Sequence, residues 1–294
     1  MLCKLFHAGK KLFQVSKKNH FFSHFDFLFL IGLIHIIYVK KIFFEIKQAG
    51  IFLMRSFFSI LNNGVTCIVC GENSFVYPIC KKCLSKHFSI EEVLNERRCK
   101  VCGKVLISTD DTCSRCRDEK ILVHTDNVLP LFSYRLWNKE LLYKWKIMGE
   151  RSVSSLFAYF VYKALDKLND DIVVTVPPRK GKIQKNGWDQ VDEICSFLKN
   201  RYGIKVLKLL KRNTTEQQKK LHKKERLETI SCAYQIELEK VIKQELKCVN
   251  NVLPKKVCLI DDVCTTGATI ESCAKILKNI GIEIVDVITL FIVD

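Results

Sequence analysis

The chain has 294 residues, a formal charge of +17 and 48% hydrophobic residues, enough to bury a sizeable core in one or two domains. The charge points to a polyanionic partner, either nucleic acid or a phosphorylated ligand, with a Lys-rich genome as the competing explanation. Eight of the fifteen cysteines form four C-x-x-C pairs, which argues against a secreted disulfide framework; such frameworks are usually shorter and loop-rich.

Residues 1–53 are rich in Phe, Ile, Lys and His and differ from the remainder. The apolar stretch Phe27 to Val39 falls short of the roughly 20 residues a membrane span needs. Asp26 precedes it, His35 interrupts it, and no small-residue cleavage site follows. The first reading is an over-long gene start, with translation beginning at Met54; a membrane anchor ranks second and a folded element third. No stable membrane span is expected, and the expected location is the cytoplasm. The segment carries eight Lys against two acidic residues, so the rest keeps a charge of +11.

Residues 64–117 hold the pairs Cys67/Cys70, Cys80/Cys83, Cys99/Cys102 and Cys113/Cys116, with little continuous apolar sequence. Such a segment needs a crosslink or a metal to be stable. C-x-x-C lets two thiolates converge on one ion, and Gly71 and Gly103 directly follow the second cysteine of two pairs. Eight thiolates suit two closed tetrahedral sites, so structural rather than catalytic zinc is expected, two ions per chain. Sequential pairing gives two small knuckles; cross-braced pairing is equally compatible with the spacing. Thioredoxin-like redox chemistry is the competing reading.

From about residue 121 the pattern changes to strands alternating with helices. ILVHTDNVLPLFSY reads as strand, Lys139 to Met148 as helix, and SSLFAYFVYKALDKL (154–168) as an amphipathic helix. DIVVTVPP is a buried strand stopped by prolines, and WDQVDEICSFLKNRYG a helix ended by Gly203. IKVLKLL is a further strand, 211–232 a polar loop or mobile helix, KKVCLI a buried strand, ATIESCAKILKNIG a helix and IEIVDVITLFIV a last strand. The expected class is α/β: a mostly parallel sheet with helices over 121–294, ligands at the strands' C-terminal ends, preceded by a zinc-ribbon module.

The stretch VCLIDDVCTTGATI (257–270) carries the chemistry. Asp261 and Asp262 follow a buried strand; Thr265, Thr266, Gly267, Ala268 and Thr269 lead into a helix. Successive N–H groups at such a turn form an anion nest, reinforced by the helix dipole. Carboxylates repel a bare phosphate but accept hydrogen bonds from vicinal hydroxyls, directly or through a divalent metal, so a sugar phosphate fits both halves.

LIDDVCTTGAT resembles the phosphoribosyl-pyrophosphate (PRPP) motif of type I phosphoribosyltransferases. The resemblance implies that Asp261 and Asp262 bind the ribose hydroxyls, with magnesium accompanying PRPP, and that Thr265 to Thr269 wrap the 5′-phosphate. Four C-x-x-C pairs before such a domain resemble the ComF family, associated with DNA uptake and competence. YRLWNKELLYKWKIMG (134–149), VVTVPPRKGKIQKNGWDQ and QQKKLHKKERLETISCAY resemble further segments of that family. Where the family has R-G-F-N-Q, this chain has Asn186, Gly187, Trp188, Asp189 and Gln190, with Lys185 nearby; Thr229 replaces an Asn. Contacts carried by that Arg or Asn are therefore in doubt here.

In the loop Pro177 to Lys182, Arg179 and Lys180 are expected to face the pyrophosphate, and Arg212 to Arg226 to form a flap. Solvated loop charges and an ordinary exposed helix are the competing readings. Three functions follow: a ComF-type PRPP-binding protein assisting DNA uptake; an active phosphoribosyltransferase of nucleotide metabolism; or a zinc-dependent single-stranded nucleic-acid-binding module with a relic PRPP site. Single-stranded DNA and DNA-uptake proteins are the expected macromolecular partners, with Trp188, Tyr134 and Trp137 as candidate stacking residues, although core packing is the better default for each.

Overall fold

The cysteine-rich segment builds little regular structure. Strands β1 (Val65–Thr66) and β2 (Asn73–Ser74) pair antiparallel, and three short helices follow: α1 (Lys81–His87), α2 (Ile90–Asn95) and α3 (Ser114–Asp118). Then come β3 (Val128–Ser133), α4 (Leu136–Lys146), α5 (Ser154–Leu168), β4 (Ile172–Thr175), α6 (Gln190–Tyr202) and β5 (Lys205–Leu207). The chain continues through β6 (Leu210–Arg212), β7 (Tyr234–Ile236), α7 (Glu239–Glu245), β8 (Lys256–Cys264), α8 (Ala268–Asn279) and β9 (Ile284–Ile292). This computed structural model describes residues 65–74, 78–179, 181–183, 187–212 and 233–293, with positions 46, 50, 53 and 54 before them. The chain divides into two compact units, Met1–Phe58 and Ser59–Asp294. The readings of segment 1–53 and of the flap beyond Arg212 lie outside the described residues, as do Lys185, Asn186 and Thr229. Among the described residues, no helix is long and apolar enough to cross a membrane.

Five strands form one parallel sheet in the order β3-β9-β8-β4-β5, the α/β architecture expected from the alternating pattern. Successive residues of β8 face opposite sides. Cys258 and Ile260 join a cluster with α5 and α6, which supply Phe157, Val161, Ile194 and Leu198. Val257 and Leu259 join a second cluster with α8, which supplies Ile270, Cys273, Ala274 and Leu277. Helices cover both faces, so the central strands read as continuous apolar runs.

An aromatic group anchors the cysteine-rich segment to this sheet. Phe88, just after α1, stands edge-on to Phe132 of β3, their centroids 5.7 Å apart, and Phe132 meets Phe160 of α5 at 5.4 Å. The second knuckle touches the same strand from another side. A Cβ added to Gly103 would stand 2.0 Å from the carbonyl oxygen of Val128 and 2.4 Å from Cδ of Pro130, and φ there is +70°. Around Gly71 there is open space, with φ at +75°. Gly103→Ala should therefore cost about 2 kcal/mol or more, and Gly71→Ala only about 1, the backbone term alone. Urea midpoints of the two variants, measured in metal-replete buffer, check the order.

IKVLKLL differs from its expected single strand. β5 stays in the main sheet, but the chain turns at Lys208, whose N–H donates to the Glu245 carboxylate at 2.9 Å. β6 then pairs with the distant β7 as a separate antiparallel ribbon. A short apolar run carries no sign of its change of partner.

Near the N-terminal ends of β4 and β8 lies a buried charge group. Lys256 Nζ sits 3.1 Å from both Asp170 Oδ1 and Asp286 Oδ2, and Asn127 Nδ2 donates to Asp286 at 2.8 Å. Burial, opposed by Lys256 and helped by the Asp286 charge, pushes the Asp170 carboxyl up to about 7. A carboxyl raised in the folded state binds a proton that the unfolded chain releases near pH 4. Its contribution to stability is complete below that point and is lost as pH rises to about 7. Asp170→Asn mimics the protonated form, so the variant should gain on wild type between pH 5 and pH 8. Paired urea titrations at the two pH values measure this.

Candidate functional site

The cleft arises from a difference in strand length. β8 pairs with β4 only as far as Ile260 opposite Thr175, after which Val176 N–H donates to the Ile260 carbonyl at 3.1 Å. Pro177 and Pro178 follow and have no N–H to continue the ladder. β8 runs on beside β9, Asp261 opposite Thr289, so both acids project where one neighbour has ended. The connection from β4 leads outward to β5, whereas that from β8 leads the other way, to β9. This is the reversal point at which open α/β sheets bind ligands.

The adjacent acids meet different surroundings. Asp262 receives a charged hydrogen bond from Lys146, the last residue of α4, Nζ to Oδ2 at 2.5 Å. Burial works against the Lys146 ammonium, but Asp262, and behind it Asp261 and Asp189, outweigh it and raise its pKa. Asp261 accepts the backbone N–H of Asp262 at 2.8 Å. Desolvation first, then the Asp262 charge, push its carboxyl up to about 7. Asp261 therefore sits close to a protonation change near neutrality.

Beyond the acids the chain turns at Thr265, Thr266 and Gly267. Gly267 is the N-cap of α8, with φ +88°, and a Cβ there would come 3.1 Å from Leu122 Cδ2. Ala268 N–H donates to Thr266 Oγ1 at 3.3 Å, and the first helical bond runs from Glu271 N–H to the Gly267 carbonyl at 2.9 Å. On β7 the Tyr234 phenol oxygen accepts from Arg212 Nη1 at 2.9 Å. The turn thus leads into a helix of 12 residues whose first N–H groups lie at the C-terminal end of β8.

Arg179 is exposed in the loop leaving β4, and Lys180 lies outside the described residues. Lys182 is committed elsewhere: its Nζ donates to Asp189 Oδ2 and Gln190 Oε1, both at 2.5 Å. Asp189 in turn caps α6, accepting from Val191 and Asp192 N–H. Trp188 packs edge-on to buried Trp145 with its centroid 6.3 Å away, and the Arg151 guanidinium lies 5.4 Å from its ring. Tyr134 is half-buried against the core, while Trp137 is 44% exposed, its ring 5.5 Å from His87.

Lys146 has no place among the residues expected from sequence. It lies in YRLWNKELLYKWKIMG, and the resemblance of that segment is the one signal that could have found it; nothing local announces a partner 116 residues away.

The eight paired cysteines gather into two tetrads, Cys67/Cys70/Cys80/Cys83 and Cys99/Cys102/Cys113/Cys116, the Sγ atoms of each within 4.8 Å of one another. Pairing is sequential. Cys70 and Cys80 Sγ are 3.7 Å apart, as are Cys102 and Cys113. A tetrahedron with metal–sulfur bonds of about 2.3 Å has edges of about 3.8 Å, so both tetrads fit such an ion. Backbone N–H groups also point at the sulfurs, Cys80 to Cys67 at 3.3 Å and Cys113 to Cys99 at 3.4 Å. Burial opposes the Cys67 thiolate, yet the N–H groups of Cys80, Cys70 and Val69 bring its pKa down to about 6.

No protein-family model matches the chain. Among curated proteins it is similar to competence protein ComFC of Streptococcus pneumoniae (strain ATCC BAA-255 / R6). The two are 28% identical over 192 residues, covering 65% of this chain and 78% of the relative. That likeness, joined to a parallel α/β sheet preceded by two cysteine tetrads, supports membership of the ComF family.

Proposed function

We propose that the cleft binds PRPP or a related sugar phosphate and that the protein assists DNA uptake. The observation that carries the ligand is the pairing of Asp261 and Asp262 with the turn at Thr265 to Thr269, at the point where β4 and β8 diverge. In this reading the carboxylates accept the ribose hydroxyls, and the same acids would hold a magnesium ion that helps neutralise the ligand's negative charge. The turn's N–H groups hold the 5′-phosphate, and Arg179 and Lys180 face the pyrophosphate. Lys146, already beside Asp262, supplies a further positive charge next to the sugar. The cysteine tetrads hold structural zinc. The DNA-uptake role rests on the likeness to ComFC, a competence protein by name.

Ligand binding of this kind needs Asp261 charged. Its carboxyl is pushed up to about 7, so it is largely neutral at pH 6 and largely ionised at pH 8. PRPP affinity in magnesium should rise about tenfold across that interval, and Asp261→Asn should flatten the rise. A profile equally steep in the variant would mean that Asp261 does not face the ligand. Release of pyrophosphate with a panel of bases and amines tests for an active transferase. Loss of transformation on deletion of the gene, with normal growth, tests the cellular role.

A further inference from the structure

The second cysteine knuckle does more than pack against the sheet: it touches the 265–267 turn and the start of α8 on several sides. Arg115, in α3 between ligand-forming Cys113 and Cys116, donates through Nη1 to the Thr265 carbonyl at 2.9 Å. Cys102, Cys116 and Arg115 share a small cavity of about 20 Å³ with Cys264, Thr265 and Thr266. The chain leaving the knuckle then crosses α8. Leu122 fills the space beneath Gly267. Val123 N–H and His124 N–H donate to Glu271 Oε2 at 2.8 and 3.1 Å, and His124 Nδ1 lies 2.5 Å from Glu271 Oε1. Apart from Cys264 at the end of β8, these interactions fall on the turn or on the first helical turn after it. The first knuckle reaches a different element: Lys144 Nζ of α4 donates to the Ile68 carbonyl at 2.5 Å.

A nest holds an anion only while its N–H groups stay aimed together, so the walls behind the turn matter as much as the turn itself. Here the Thr265 carbonyl is drawn to a guanidinium, which fixes the peptide joining Thr265 to Thr266. That guanidinium is held on a five-residue helix whose N-cap, Cys113, and third residue, Cys116, belong to one tetrad. A helix so short has little stability of its own and depends on that tetrad for its position.

We propose that Arg115 is a positioning residue for the 265–267 turn, and that occupancy of the Cys99/Cys102/Cys113/Cys116 tetrad sets the turn's order and thereby its affinity for a sugar 5′-phosphate. The affinity part rests on the sugar-phosphate reading above; the ordering part does not.

Two measurements on the full chain separate them. Hydrogen exchange over residues 263–270, without ligand, should quicken at least about fivefold in Arg115→Ala and in Cys116→Ser, and stay at wild-type rates in Arg117→Ala. Arg117 sits on the same helix but pairs with Asp110. Metal content should be unchanged in Arg115→Ala, which separates loss of the brace from loss of the ion. Titration with ribose 5-phosphate should show binding weakened about five- to tenfold in Arg115→Ala, with part of the loss recovered in Arg115→Lys. Unchanged exchange in Arg115→Ala overturns the proposal, as does wild-type affinity in that variant. If wild type fails to bind ribose 5-phosphate, the sugar-phosphate reading falls, and the exchange rates still decide whether Arg115 orders the turn.

Discussion

Replacing Asp261 and Asp262 together by asparagine should weaken magnesium-dependent PRPP binding by about 100-fold or more, with bound metal at the cysteines unchanged. The size follows from the number of charged hydrogen bonds. A hydrogen bond to an ionised group contributes about 1.5–3 kcal/mol, and two such acids with a shared magnesium exceed the roughly 2.7 kcal/mol that corresponds to 100-fold. The fold should survive. The acids lie at an open strand end, and Asp261 is destabilised as a charge there by burial and by Asp262. The substitution weakens the Lys146 to Asp262 bond, but an asparagine oxygen can still accept from that ammonium. Lys146→Met separates the two sides of the pair. It should leave the ribose hydroxyls bound and weaken PRPP more than ribose 5-phosphate, because the extra negative charge lies on the pyrophosphate. Equal weakening of both ligands would place Lys146 near the sugar's 5′-phosphate instead.

Cys67→Ser should have the largest effect on stability. Wild type is expected to carry two zinc ions per chain and the variant one. Cys67 is 2% exposed and belongs to the same apolar cluster as Phe88 and Phe132, so losing the ion also loosens packing against β3. Metal binding in such a module is folding energy. A loss of about 3–5 kcal/mol lowers the melting temperature by roughly 10 °C in a chain of this size. Limited proteolysis should cut first between residues 65 and 95, before the sheet opens. Fewer than one zinc per wild-type chain, purified without chelator, would count against both tetrads as metal sites.

Long, strongly periodic segments are legible in the sequence. The amphipathic run 154–168 is helix α5 residue for residue, and Gly203 ends α6 in the left-handed conformation. The acids and the Thr-Thr-Gly turn stand together because they are neighbours in the chain, and strand-to-helix geometry does the rest. What escapes a sequence reading depends on interactions between distant residues. β6 leaves the main sheet for a partner more than twenty residues away. Lys146 meets Asp262 across 116 residues, and Arg115 meets Thr265 across 150. Spacing also leaves the cysteine pairing open; the fold settles it, because each pair of C-x-x-C turns brings its sulfurs within bonding distance of one ion. Trp188 and Tyr134 are half-buried and pack against the core, the default expected for an aromatic side chain.

The most direct test is a calorimetric titration of PRPP into the metal-replete wild-type protein at pH 8, with and without magnesium. Saturable binding of one PRPP per chain that depends on magnesium, and disappears in the Asp261→Asn, Asp262→Asn double variant, is the predicted result. No binding in either buffer, by a protein that retains both zinc ions, would contradict the assignment of the β8 cleft as a sugar-phosphate site.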